Sequence, residues 1–345
     1  MSEKEEKKKP IRVWVDGCFD MMHWGHANFI RQARELGDYL ICGVHSDEEI
    51  EKNKGPTVLK GEERYQAVEG CKWVDEVVRD APYITSLEYL NKYNCDFCIH
   101  GDDLSVTKDG RDSYAEIKEA GKFRTVPRTT GVSTTDLVGR MLLLTREHHQ
   151  KDIKVQSSPY TRVSQYLPTT RKIVQFSEGK SPKPNDKIVY IDGGFDLFHV
   201  GHISTLKKAK ALGDFLIVGV HTDEIVNQHK GEHFPIMNLH ERILTVLSCR
   251  YVDEVIIGAP FDVSEDLIKS MNFQIVCHGS TKVETRLDND PYEVPKKLGI
   301  YVQIESDFPD LTSDSICQRI IENSLVYLSR NKDKQKREVK LLEKK

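Results

Sequence analysis

His23-Trp24-Gly25-His26 returns as His199-Val200-Gly201-His202, and each quartet closes the same longer phrase, Asp-Gly-x-Phe-Asp-x-x-His-x-Gly-His, at 16–26 and 192–202. Two imidazoles three residues apart can share one side of a helix's first turn, and the glycine between them carries no side chain to hold a ligand off. Such a pair suits phosphorus chemistry, in which negative charge grows on non-bridging and leaving oxygens and is met by positioned donors. A strand that ends in glycine and hands over to that helix would aim backbone N–H groups and the positive end of the helix dipole at the same point. The segment Gly17-Cys18-Phe19, with Gly25, is therefore read as nucleotide-binding in the first copy, and Gly194 and Phe195, with His199 and His202, in the second. Phe19 and Phe195 double as core anchors, and Asp20 and Asp196 as turn-stabilising carboxylates.

A second constellation occurs once, at Arg128-Thr129-Thr130-Gly131-Val132-Ser133-Thr134-Thr135, ahead of an amphipathic helix expected over 136–144. A guanidinium, a glycine and a row of hydroxyls at a helix N-terminus form a cradle for a polyphosphate tail. An ordinary helix cap would account for Ser133 or Thr134 but not for Arg128 or Gly131. The second copy has Ser306 and Pro309 in those two places, keeping only Thr312, Ser313 and Asp314 of the loop.

The pairing of the His-x-Gly-His quartet with this loop resembles the cytidylyltransferase family, in a form with two domains in tandem. That resemblance covers nearly the whole chain outside its linker and tails. It implies transfer of CMP from CTP to phosphoethanolamine, with CDP-ethanolamine and pyrophosphate as products, in phosphatidylethanolamine synthesis. His23 and His26 would stabilise the α-phosphate and leaving oxygens, while Arg128 and the hydroxyls of Ser133 and Thr134 would hold the β- and γ-phosphates, with Thr129 and Gly131 also in the nucleotide site. Mg²⁺, bound chiefly through the CTP phosphates and water rather than by a protein cage, would complete the clamp. Lys54 resembles the family lysine that reaches between the two substrates' phosphates, and it recurs as Lys230. Tyr83 stands where phosphocholine-using relatives carry a tryptophan and would bound the amine pocket. His100 and Asp102 follow a strand at the sheet's binding edge and would meet ribose or base, with His278 as the second copy's counterpart. Lacking the arginine, the second domain is expected to bind nucleotide for regulation or residual turnover. A phosphocholine cytidylyltransferase stays open as the alternative, although the long amphipathic membrane helix of those relatives is missing.

The elements that must position these residues read as a duplication. From Val15 to Glu48, 18 of 34 positions are identical to the copy 176 residues on, too many for a shared hydrophobic pattern. Strand 12–15, helix 27–36 with Gly37 at its C-cap, buried strand 39–45 and a capping box at Ser46–Glu49 open each copy as βαβ units. The fold class is α/β: two tandem Rossmann-like nucleotidyltransferase domains, each a doubly wound parallel sheet with helices on both faces. Their expected bounds are 11–146 and 187–330, with an unstructured N-terminus over 1–10, a linker over 147–186 holding one strand at 172–176, and a charged tail over 331–345.

A net charge of −4 leaves no broad basic face for nucleic acid. The eight cysteines are scattered, several in apolar runs, and fit buried thiols in a reducing cytoplasm. Cys95-x-x-Cys98 has no second pair, and strand alternation would put its thiols on opposite faces, so a metal centre is not expected. No run approaches the length that crosses a bilayer. Peripheral attachment to the endoplasmic-reticulum surface and a homodimer are carried as open alternatives.

Overall fold

The computed structural model describes residues 9–102, 105–147, 166–231, 234–280 and 290–342. Residues 1–8 of the expected unstructured N-terminus and 148–165 of the expected linker lie outside them. The first copy runs β1 Arg12–Gly17, α1 Trp24–Arg34, β2 Tyr39–His45, α2 Asp47–Lys54, α3 Gly61–Glu69, β3 Glu76–Ala81, α4 Leu87–Lys92, β4 Phe97–Gly101, α5 Ala115–Glu119, β5 Phe123–Val126 and α6 Thr134–Glu147. After α7 Tyr166–Phe176 the order repeats: β6 Ile188–Gly193, α8 Val200–Lys210, β7 Phe215–Val220, α9 Asp223–Lys230, α10 Leu239–Leu247, β8 Glu254–Ile257, α11 Glu265–Met271, β9 Ile275–Gly279, α12 Glu293–Lys297, β10 Tyr301–Ile304, α13 Ser313–Glu322 and α14 Ser324–Leu342.

Both copies form five-stranded parallel sheets of the same order, β3-β2-β1-β4-β5 and β8-β7-β6-β9-β10. The order reverses beside β1 and β6, so a crevice opens where β1 meets β4 and where β6 meets β9, at the strands' carboxyl ends. Parallel strands covered on both faces need continuous apolar runs, and the middle of β1 and all of β7 are buried accordingly. Ser46 caps α2 as its sequence suggests, its hydroxyl accepting from the Glu49 N–H.

The compact units follow packing rather than the repeat. One comprises 1–20, 25–69 and 73–131, and the other 21–24, 70–72 and 132–345. Helix α6, at the end of the first copy, packs on α13 and α14, with Leu137, Val138, Met141 and Leu142 buried.

Three local expectations are corrected. The strand expected at 172–176 is the C-terminal part of helix α7, with Ser177 N–H bonded to the Ile173 carbonyl. Ile173 and Phe176 lie on its packed side while Val174 faces out, the three-residue step of a helix. Gly37, expected as a C-cap, has no left-handed φ, and close packing is what demands the glycine, since a Cβ there would meet the Val13 side chain at 2.5 Å. Cys95 precedes β4 instead of alternating within it, so Cys95 and Cys98 share one apolar cluster with Trp14 and Tyr114. Burial pushes the Cys95 thiol up to about 12 and Cys98 well above its ordinary value, which leaves both protonated.

Candidate active site

The motif turn is a strained backbone, built twice. Phe19 and Met21 have φ of 48° and 51°, and Phe195 and Leu197 have 49° and 48°, in the left-handed region that bulky residues rarely enter. The Asp side chain inside each turn holds the strain. Asp20 accepts from the Val58 and Leu59 N–H groups, both at 2.9 Å. Asp196 accepts from Ile236 at 2.7 Å and Met237 at 2.9 Å. A fully buried arginine ties the turn to the next strand: Arg64 donates to the carbonyls of Cys18 and His45 and to Asp47, and Arg242 to those of Gly194 and His221 and to Asp223.

Beneath the first crevice lies Asp16, 3% exposed. It accepts from Trp14 Nε1 at 2.8 Å and from the hydroxyls of Thr85 and Tyr114. Neither Arg64 nor these donors is singled out by the motifs, yet Arg64 recurs as Arg242 and Tyr114 as Tyr292. The repeat itself was the signal.

Within the first unit several expected site residues converge. Gly17 ends β1, and the ring of Phe19 lies edge-on to His26, with centroids 5.6 Å apart. Lys54 Nζ points to Cys18 Sγ at 3.6 Å and stands 5.4 Å from the ring centre of buried Tyr83, which packs on His45. His100 ends β4 beside Tyr114, its Nδ1 3.0 Å from the Gly101 carbonyl. Asp102 accepts from the Arg128 N–H at 2.9 Å, so its carboxylate shapes the loop bearing the guanidinium. Thr129 Oγ1 accepts from Asn28 Nδ2 at 2.8 Å and reaches the Gly25 carbonyl at 3.5 Å, which fastens the Arg128 loop to the first turn of α1. Gly131 has φ 88°, a conformation that favours glycine.

In the second unit His23 is buried ahead of α1. Ser133 Oγ accepts from the Asp136 N–H at 3.0 Å as an N-cap of α6, where Thr134 begins. A hydroxyl that accepts in this way keeps its proton to donate elsewhere.

The second copy's motif lies wholly within one unit. The rings of His199 and His202 lie 3.9 Å apart at their centres, and His202 Nδ1 accepts from the His199 N–H at 3.3 Å. Burial drives His199 well below the usual imidazole range and His202 down to about 3, helped by the charge of Lys230. Gly201 is needed there, since a Cβ would meet the His199 ring at 2.9 Å. Ser313 donates to the Asp196 carbonyl at 2.6 Å and Thr312 caps α13, so both hydroxyls serve the fold. Lys230 forms an ion pair with Asp314 at 2.9 Å, whereas the first copy's Asp136 pairs with Arg140 on its own helix. His278 ends β9 as His100 ends β4, and burial lowers its basicity. Asp192 shows the difference most clearly. Tyr190 and Val263 stand where Trp14 and Thr85 serve the first copy. Its Oδ1 accepts from Tyr292 at 2.5 Å, while Oδ2 has no hydrogen-bond partner among the described residues. Burial raises this carboxyl to about 6.

Among the described residues no group of three or more His, Cys, Asp or Glu side chains could hold a metal ion. None of their helices is long and apolar enough to cross a membrane.

Comparison with known proteins places this geometry in a family. The Cytidylyltransferase-like family model matches residues 14–140 and 190–334. The chain is 58% identical to an ethanolamine-phosphate cytidylyltransferase of Dictyostelium discoideum, over 97% of this chain and 98% of that protein. It is 50% identical to one from Mus musculus, over 96% and 91%. A choline-phosphate cytidylyltransferase A of Rattus norvegicus is 46% identical but aligns with only 39% of this chain and 37% of its own length. The chain, matched by that family model in both copies, belongs to the cytidylyltransferase-like family, among the ethanolamine-phosphate cytidylyltransferases.

Proposed function

We infer that this chain transfers CMP from CTP to phosphoethanolamine, releasing pyrophosphate. The observation that carries this reading is the fastening of the Arg128 loop, through Thr129, to Gly25 and Asn28 of α1. It joins the two motifs at the sheet edge where α/β proteins receive nucleotides. Similarity to ethanolamine-phosphate cytidylyltransferases along both copies supplies the acceptor.

A phosphate oxygen of phosphoethanolamine attacks the α-phosphorus in line, that P–O bond forms, and the bond to the β-phosphate oxygen breaks. No covalent enzyme intermediate is needed, and the protein's work is positioning and charge stabilisation. His23 and His26 donate to the α-phosphate and leaving oxygens. Arg128, with the hydroxyls of Ser133 and Thr134, holds the β- and γ-phosphates, and Lys54 lies between the two substrates. Tyr83, beside Lys54, bounds the amine end of the acceptor. Mg²⁺, carried on the triphosphate, would neutralise charge there.

Turnover belongs to the first copy. The second lacks the arginine, and its Lys230 is paired with Asp314. A charge-assisted hydrogen bond contributes about 1.5–3 kcal/mol, so losing the guanidinium alone weakens nucleotide or transition-state binding by roughly 10- to 100-fold. The second crevice is then a regulatory or residual nucleotide site. Incubating the purified chain with CTP, Mg²⁺ and either phosphoethanolamine or phosphocholine tests the reading. CDP-ethanolamine with pyrophosphate is expected, and preference for choline or absence of pyrophosphate overturns it.

A further inference from the structure

Arg140 of α6 is a heavily bonded cation. Its Nη1 donates to the Ile236 carbonyl at 3.1 Å and to Glu241 at 2.8 Å, and its Nη2 to Glu241 at 2.9 Å and Asp136 at 2.7 Å. Arg140 and Glu241 are 9% and 6% exposed, so this fork is a buried bidentate pair. Its acceptors are not arbitrary. The Ile236 N–H is held by Asp196 of the second copy's motif turn, and Glu241 accepts from the Asn238 N–H in the capping box of α10. A continuous chain of bonds therefore runs from Asp196 through residue 236 to Arg140, along α6, to the Ser133 and Thr134 hydroxyls at its start.

We propose that Arg140 is a positioning residue for CTP: by locking α6 to residues 236 and 241, the second copy sets where Ser133 and Thr134 meet the polyphosphate. This rests on the function inferred above and deepens it. It assigns the second copy a part in the first copy's reaction that needs no nucleotide in the second crevice. The pair's geometry supports it, since two parallel N–H···O bonds plus a carbonyl contact fix rotation as well as distance, which apolar packing of α6 alone does not.

The test is steady-state kinetics of the full chain, with CTP and phosphoethanolamine varied separately. Arg140→Met alone strands Glu241 in the interior and lowers the Tm, so it does not isolate positioning. The double variant Arg140→Met/Glu241→Gln removes both charges and keeps an acceptor for the Asn238 N–H. Its Tm is expected within a few degrees of the parent, its KM for CTP at least about 5-fold higher, and its KM for phosphoethanolamine unchanged. Arg140→Lys, a charge without the fork, should fall between. A folded double variant with parental KM for CTP overturns the proposal, as does an equal rise in both KM values. If the parent chain itself makes no CDP-ethanolamine, the function reading fails instead, and the two failures are distinguishable.

Discussion

Replacing Asp192 by Asn tests how the two copies treat the same buried carboxylate. Asp16 is met by an indole and two hydroxyls, whereas Asp192 keeps the Tyr292 hydroxyl and leaves Oδ2 unpaired among the described residues. Tyr190 and His278 are its other polar neighbours, and burial lifts the carboxyl from 3.8 to about 6. A pKa raised in the folded state means that the fold binds the proton more tightly than the unfolded chain. The linked stability, about 3 kcal/mol in full, is therefore complete below pH 3.8 and lost as pH rises through about 6. At pH 5 roughly half of it remains, and at pH 8 essentially none. Asp192→Asn has no such proton. Its stability relative to the parent should be more favourable at pH 8 than at pH 5, by on the order of 1 kcal/mol. Urea unfolding of the full chain at both pH values, read on β6 and β9 by hydrogen exchange, measures this. A difference that does not change between pH 5 and 8, or that changes the other way, refutes the account. Supplying the missing donors with Tyr190→Trp and Val263→Thr should flatten the same dependence.

Other outcomes follow from the same geometry. His26→Ala should lower kcat by roughly 10²- to 10³-fold, as loss of a transition-state donor does, while His202→Ala should cost first-copy turnover far less; an equal collapse of both would deny the division of labour. His202→Gln should lessen acid sensitivity. Its imidazole, held near 3, contributes stability that is present above 6.5 and lost as pH falls, about 2 kcal/mol by pH 5, in thermal melts compared at pH 7.5 and 5. Asp20→Ala strands two buried N–H groups and should destabilise the first unit by about 2–4 kcal/mol in urea titrations, with activity lost wherever the motif turn relaxes.

Much of this architecture was legible in the residues. The repeated phrase ending in His-x-Gly-His disclosed the duplication, and alternating apolar runs with caps such as Ser46 disclosed parallel βαβ units. The Arg128 loop stood out because no helix cap requires an arginine. What stayed hidden depends on distance along the chain. Thr85 and Tyr114 reach Asp16 from 69 and 98 residues away, and no local pattern marks them as partners. Arg64 was visible as a repeated residue, but its role as a brace for the motif turn required the fold. The apolar run 172–176 is short enough to suit either period, and packing on α10 decides for helix. The repeat puts α6 at the end of the first copy, whereas its apolar face meets α13 and α14 of the second, a pairing that no local pattern announces.

That mismatch has an evolutionary side. A gene that lost its second copy by truncation after 146 would keep every motif residue of the first, yet leave Leu137, Val138, Met141 and Leu142 on a helix stripped of its cover. Each buried side chain of this kind contributes about 1.5–3 kcal/mol, so the shortened product would meet water with a sticky ridge beside its own phosphate loop. The two halves are in this sense hostages to one another: drift in the copy without the arginine is held in check by the helix that its α13 and α14 shelter.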